Sequence, residues 1–188
     1  MTIFIAGLIV FLALHLVPAL PGVRAALAAR LGEARYKAAF SLLSLLGLAM
    51  IVGGYALATP GPRLFEPSRA AIAAAPYAVS LAFILLAAAN MRGNIRHTLK
   101  HPMLLGIVIW ASLHLLANGD TRGTLLFGSF LGYALLDLVS VLQRHASKRF
   151  EPSARYDLIA VVAGVIAAVA VMTLHRLLFG VAAVPWGV

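Results

Sequence analysis

Cysteine is absent from this chain of 188 residues. Without a thiol there is no disulfide, no iron–sulfur cluster, no thiolate ligand and no thiol redox switch. Charge is scarce too: Asp and Glu number six, and all charged residues together make up 11% of the sequence, where a soluble domain carries about a quarter. An HExxH pair, a phosphate-cradling glycine loop, a Ser-His-Asp set and two carboxylates at acid–base spacing are all missing, which argues against a hydrolase or a dimetal enzyme. Imidazole, carboxylate, hydroxyl and amide chemistry remain.

What is present is apolar: 62% of residues are hydrophobic and the mean hydropathy is +0.97. That composition makes the chain an all-α integral membrane protein, expected as a single transmembrane domain over residues 1–188. Runs of ~20 apolar residues suit a hydrocarbon core about 30 Å thick. Six segments qualify, at 2–20, 40–58, 71–90, 102–118, 124–142 and 157–179, the fourth being the shortest. Pro76 is expected to start the third helix or to kink its first turn.

A net charge of +9 would raise the question of nucleic acid in a soluble protein, so its placement decides. Eleven basic residues fall in the loops on one side, namely Arg24, Arg30, Arg35, Lys37, Arg92, Arg96, Lys100, Arg144, Lys148, Arg149 and Arg155. Four fall on the other, Arg63, Arg69, Arg122 and Arg176. This follows the positive-inside rule, which puts the basic side in the cytoplasm and both termini outside and leaves no role for nucleic acid. The first span has no basic stretch ahead of it and no small-residue cleavage site, so it is expected as a retained helix.

After it, Val23, Leu27 and Leu31 form one stripe with Arg24, Arg30 and Arg35 largely off it, the pattern of an amphipathic helix lying in the lipid interface. Residues 59–70, with Pro60, Gly61, Pro62 and Pro67, form a stiff outer connector. Small residues at helical spacing, Gly128 with Gly132, Ser44 with Gly47 and Gly164 with Ala168, predict close helix packing and, second, a homo-oligomer contact. No internal repeat is evident.

Ionisable groups inside a span are costly and mark candidate sites. His15 and Asp137 each lie thirteen residues in from the outer end of their spans, ~20 Å at the helical rise. His101, at the inner mouth of the fourth span, is near the same level, whereas His114 lies ~20 Å further out and His175 about 27 Å from the start of the last span. Thirteen residues also turn a helix by about 220°, so His101 and His114 face nearly opposite ways.

The inner set is therefore His15, His101 and Asp137, near Arg96, His97 and Lys100; the outer set is His114, His175, Asn118 and Asp120. Two imidazoles at one depth on different helices suit axial ligation of a haem, with a carboxylate in the outer shell to fix a ring tautomer. Plainer roles stay open beside that one. His15 can bond carbonyls freed near Pro18, His101 can be a helix-entry residue at the headgroup boundary, and Asp137 can neutralise Arg92, Arg96 or Arg144. His114 shares a stripe with Trp110 and Asn118 and can be a helix contact or a second ligand position. His175 reads as an interface residue, His97 and His145 as solvated loop residues, and Asn118-Gly119-Asp120 as a tight turn.

The stretches His15-Leu16-Val17-Pro18-Ala19-Leu20-Pro21-Gly22, Arg30-Leu31-Gly32-Glu33 with Tyr36-Lys37 and Phe40-Ser41-Leu42, His101-Pro102-Met103-Leu104-Leu105-Gly106 with Trp110, His114-Leu115-Leu116-Ala117-Asn118-Gly119-Asp120, and Leu126-Phe127-Gly128 follow in one order. As a set they resemble the NnrU family. The resemblance implies a bacterial inner-membrane protein tied by its name to denitrification and nitric oxide metabolism. That family is similar to zeta-carotene isomerase, a membrane enzyme that uses haem b. Carried over, the resemblance implies haem b held by His15 and His101, with His114 as the substitute ligand, and a redox or isomerase role. A non-enzymatic alternative is an accessory or assembly factor holding a membrane oxidoreductase through the basic loops or the Gly128/Gly132 face. Lys100-His101-Pro102 followed by Gly106 is also similar to a signature of membrane methyltransferases that bind S-adenosylmethionine, but the acidic pair expected downstream is absent, with only Glu151 and Asp157 there.

Overall fold

The computed structural model describes residues 1–144 and 150–183; His145, Lys148 and Arg149 lie outside the described residues. Eight α-helices run through them: α1 (Thr2–Leu16), α2 (Pro21–Leu31), α3 (Glu33–Leu57), α4 (Arg69–Ala88), α5 (Asn94–Leu99), α6 (Pro102–Asn118), α7 (Thr121–Gln143) and α8 (Ala154–Phe179). Five are long and apolar enough to cross a membrane, and α6, with 17 residues, is a shorter apolar helix. The chain is a multi-pass helical membrane protein.

Local chemistry sets the boundaries. Pro18 falls in a 3-10 turn that closes α1, and Pro21 opens α2, where a missing N–H costs nothing. Gly32, at φ +79°, separates α2 from α3. The third helix begins at Glu33, seven residues before the apolar run, because Glu33 pairs with Arg24 at 2.8 Å and with Lys37 one turn on at 3.3 Å. Apolarity marks what crosses the bilayer and not where the helix starts.

Two other expectations are corrected. Pro76 neither starts α4 nor sits in its first turn, since Ser68 caps the helix by accepting the Ala71 N–H at 3.3 Å and leaves Pro76 inside it; Ser80 Oγ then donates to the Pro76 carbonyl at 2.6 Å. The inner loop before His101 contains a helix, α5, whose start is held by Asp157 of α8, which accepts from the main-chain N–H groups of Asn94 at 2.8 Å and Ile95 at 2.9 Å.

The helices form a row in the order α3, α1, α7, α6, α4, α8. Glycine makes the tightest steps: a Cβ on Gly54 would stand 2.5 Å from the Phe4 nitrogen, and one on Gly164 would stand 2.5 Å from the Ile84 Cα, so α1–α3 and α4–α8 meet backbone to backbone. Gly128 and Gly132 do not pack inside the chain as expected; a Cβ on either would meet nothing within 4 Å. Phe4, Leu8 and Ile51 form the buried core of the α1–α3 pair, with Phe11, Tyr55, Leu126 and Phe130 against it. Helices at the ends of the row present exposed apolar faces to lipid, Leu42, Leu45 and Val52 on α3 and Leu158, Val162 and Ile166 on α8.

Candidate functional site

The row is thinnest where α1 meets α7, and aromatic rings fill that seam. From the inner end, His15 stacks on Phe11 with ring centres 4.1 Å apart; Phe11 meets Phe130 at 5.8 Å, Phe130 meets Trp110 at 5.7 Å, and Trp110 meets both Phe127 and His114 at 5.2 Å. One ladder of rings thus joins the inner and outer histidines. Sequence order hid it, because its members come from α1, α6 and α7.

His15 sits in the last turn of α1, half-buried among Phe11, Phe40 at 5.3 Å and Tyr133 at 6.2 Å. Its Nδ1 lies 2.7 Å from the Phe11 carbonyl. A ring nitrogen facing a carbonyl oxygen carries a proton, so in the neutral imidazole Nε2 is the nitrogen with the lone pair. Pro18 has no part in this, because the carbonyl used is one turn back along α1.

His101 occupies the N-cap position of α6, ahead of Pro102. Lys100 before it has φ +62° and ψ −46°, and the His101 N–H donates to the Leu99 carbonyl at 2.6 Å. This is a γ-turn of the rarer, strained kind. Lys100 is the only residue other than glycine with positive φ among the described residues. Such a conformation costs about 1–3 kcal/mol and persists only where its surroundings enforce it. Burial pushes the His101 imidazole below its ordinary pKa, the Asp137 carboxylate opposes that, and Lys100 and Arg144 add to it. The neutral ring, with a lone pair to offer, is the favoured form.

Tyr133 and Asp137 link the two histidines. They lie one turn apart on α7; the Tyr133 hydroxyl donates to Asp137 Oδ2 at 3.5 Å, a long contact, and the Tyr133 ring stands edge-on to His15. Asp137 in turn acts on His101 through space. Among the described residues Asp137 makes no salt bridge, so its nearest tie is a phenol and not the arginines expected to neutralise it. The sequence reading missed Tyr133, although its i−4 spacing from Asp137 was legible. α1 packs on α3 and reaches the rest of the row through α7, so His15 and His101 make no ring contact with each other. His97, expected in a loop, lies on α5 with its ring 6.0 Å from that of Phe150.

The outer set is differently employed. His114 Nδ1 lies 2.8 Å from the Trp110 carbonyl, Asn118 Nδ2 donates to the His114 carbonyl at 2.7 Å, and Asp120 caps α7 by accepting the Gly123 N–H at 2.8 Å. Gly119, at φ +76°, makes the expected turn. His175 Nδ1 lies 2.7 Å from the Val181 carbonyl. Arg122 donates to the Tyr55 and Ala58 carbonyls at 2.9 and 2.8 Å, with its guanidinium 4.1 Å from the Tyr55 ring centre. That closes the C-terminus of α3 with a cation.

The donor chemistry can now be tested against a haem. No group of three or more His, Asp or Glu that could hold a chelated ion occurs among the described residues. A haem needs only axial imidazoles and an apolar surround. His15, with Nδ1–H on a main-chain carbonyl and Nε2 left over among phenyl rings, has the outer-shell arrangement of such a ligand.

The sequence model of a family described as "NnrU protein" matches residues 3–183, nearly the whole chain. No curated protein and no solved structure matches.

Proposed function

The chain belongs to the NnrU family, and from that premise we propose that it is a haem b protein of the bacterial inner membrane, acting in redox or isomerase chemistry linked to nitrogen-oxide metabolism. The observation that carries the reading is the His15 ring, whose Nδ1 is committed to the Phe11 carbonyl at 2.7 Å and whose Nε2 is open. His15 would hold the group, with His101 as the second position and His114, whose Nδ1 likewise faces a main-chain carbonyl, as the substitute. Bound there, the group would supply a one-electron couple if both histidines held it, or chemistry on a polyene double bond if His15 alone did. The chain's own residues do the rest. The Phe11 carbonyl orients His15, Phe11, Phe40 and Phe130 keep water out, and burial holds His101 neutral. Tyr133 and Asp137 form the outer shell, where a proton can be held on the phenol next to the carboxylate.

The test is the absorption spectrum of the full chain expressed with haem supplied. A Soret band lost in His15→Ala and shifted or lost in His101→Ala is the expected result. A colourless preparation from haem-replete cells removes the cofactor, and a band unchanged in both variants removes the ligand assignment.

A second reading, an accessory factor for a membrane oxidoreductase, is favoured by one observation: Gly128 and Gly132 are one turn apart on α7 with nothing packed over them, as a partner helix would require. Partner activity lost on deletion and restored by a His15→Ala, His101→Ala double variant supports it; no restoration favours the haem reading.

A further inference from the structure

At the inner end, apart from His15 and His101, a cavity of about 710 Å³ opens between the segment ahead of α5 and the start of α8. Arg92, Arg96 and Arg155 line it together with Phe150, Ser153 and Tyr156, and Glu151 is its one carboxylate.

Three features make this more than a basic rim. First, the guanidinium donors are largely unspent. Among the described residues the Arg92 side chain makes no hydrogen bond or ion pair; Arg96 has one long contact, to the Met91 carbonyl at 3.5 Å, and Arg155 bonds only the Tyr156 hydroxyl at 3.2 Å. Arg122 at the other end, by contrast, donates Nη1 to two carbonyls. Second, aromatic rings steady two of the three, Arg96 over Phe150 at 5.4 Å and Arg155 over Tyr156 at 4.8 Å. Third, the frame is tied: the Ser153 N–H donates to the Arg92 carbonyl at 3.0 Å, and Asp157, next in sequence to Tyr156, is occupied by the N–H groups of Asn94 and Ile95. A Cβ on Gly93 would collide with the Asp157 carboxylate, so a larger residue there has to displace that side chain from the N–H groups it caps.

Several converging guanidiniums with free donors are what a phosphate requires, since each fork can bond two of its oxygens. The cavity lies where α4 ends and α8 begins, at the level of the headgroups on the basic side of the protein, and it is far larger than a bare phosphate needs. Basic pockets between membrane helices on that side take anionic lipid heads. We propose that Arg92, Arg96 and Arg155 form a binding site for the phosphate of an anionic phospholipid headgroup.

The experiment uses the full chain in a nonionic detergent with three probes: a short-chain phosphatidylglycerol, the matching phosphatidylcholine and inorganic phosphate. Lipid retention is read by native mass spectrometry and affinity by thermal-shift titration. Phosphatidylglycerol is expected to bind at least tenfold more tightly than phosphatidylcholine. That preference should fall about tenfold in R92Q/R155Q and remain within twofold of wild type in R30Q/R35Q, which removes the same charge elsewhere on the basic side. Arg92→Gln alone guards against misfolding, because its side chain holds no bond in the described structure, and it should weaken phosphatidylglycerol about threefold. Equal binding of the two lipids, or equal loss in R30Q/R35Q, overturns the site. Full displacement of the lipid by millimolar inorganic phosphate also overturns it and assigns a soluble anion instead.

Discussion

The two ends of the bundle use similar residues to opposite ends. At the outer end most polar side chains of the α6–α7 turn bond the backbone: Asn118 to the His114 carbonyl, Asp120 to the Gly123 N–H, Arg122 Nη1 to the end of α3, and Thr121 Oγ1 to the Pro62 carbonyl at 2.9 Å, while Arg122 Nε and Thr124 Oγ1 are buried without a partner among the described residues. The connector over it is stitched down as well, with the Leu64 N–H on the Gly119 carbonyl at 2.7 Å and the Ser68 N–H on the Leu116 carbonyl at 2.9 Å. At the inner end, His15 Nε2, the His101 ring and Asp137 are left with little or nothing bonded to them, and the chain adopts a strained turn at Lys100 to place His101. Buried polar groups that are fully bonded build structure; those kept unspent are available for chemistry.

The largest effect that would break this contrast is expected at Arg122. Replacing it with Ala removes two charge-assisted bonds, about 1.5–3 kcal/mol each, together with its contact on Tyr55, so reversible unfolding in detergent should show a loss of about 3–5 kcal/mol. If His15→Ala costs as much, the inner end is structural too and the distinction fails. For His15→Ala the expected outcome is reversed: complete loss of any haem absorption with helix content kept and the unfolding midpoint nearly that of the haem-free wild type, checked by absorption and circular dichroism on one sample.

A matched pair of carboxylates sharpens the comparison. Asp120→Ala removes an N-cap and should cost about 1 kcal/mol, whereas Asp137→Ala, which breaks only a 3.5 Å contact with Tyr133, should cost less in the same unfolding assay. The smallest effect is electrostatic. Burial lowers the His101 pKa and Asp137 opposes it, so Asp137→Asn should lower it further and the ring should take up its proton at a more acidic pH than in wild type. A histidine-selective NMR titration of the haem-free chain would show this; a shift toward higher pH would mean that the carboxylate does not face the ring.

How much of this was legible depended on the kind of signal. Five long apolar spans and the Asn118-Gly119-Asp120 turn were readable because apolar length and positive φ are properties of short segments. Helical rise alone set His15 near Asp137, and the ring contact made is with Tyr133, one turn away on α7. The start of α3 at Glu33 was not, because polar residues extend a helix past the apolar run when a salt bridge holds its first turn. α5 was missed for a related reason, since the group that starts it, Asp157, lies 62 residues beyond Ile95. Gly128 and Gly132 were misread as internal packing because a small-residue stripe does not state which side its neighbour is on.

What the sequence determined by itself was the environment: six apolar runs without thiols and with charge on one side commit the chain to the bilayer, because transfer from water depends on composition summed over a segment. What only the tertiary structure decided was which polar groups remain free there. His15 and His114, Asp120 and Asp137, Arg92 and Arg122 are alike as letters, and they part company because a hydrogen bond acts over about 3 Å, so each group's fate rests on the one neighbour that the fold brings to it.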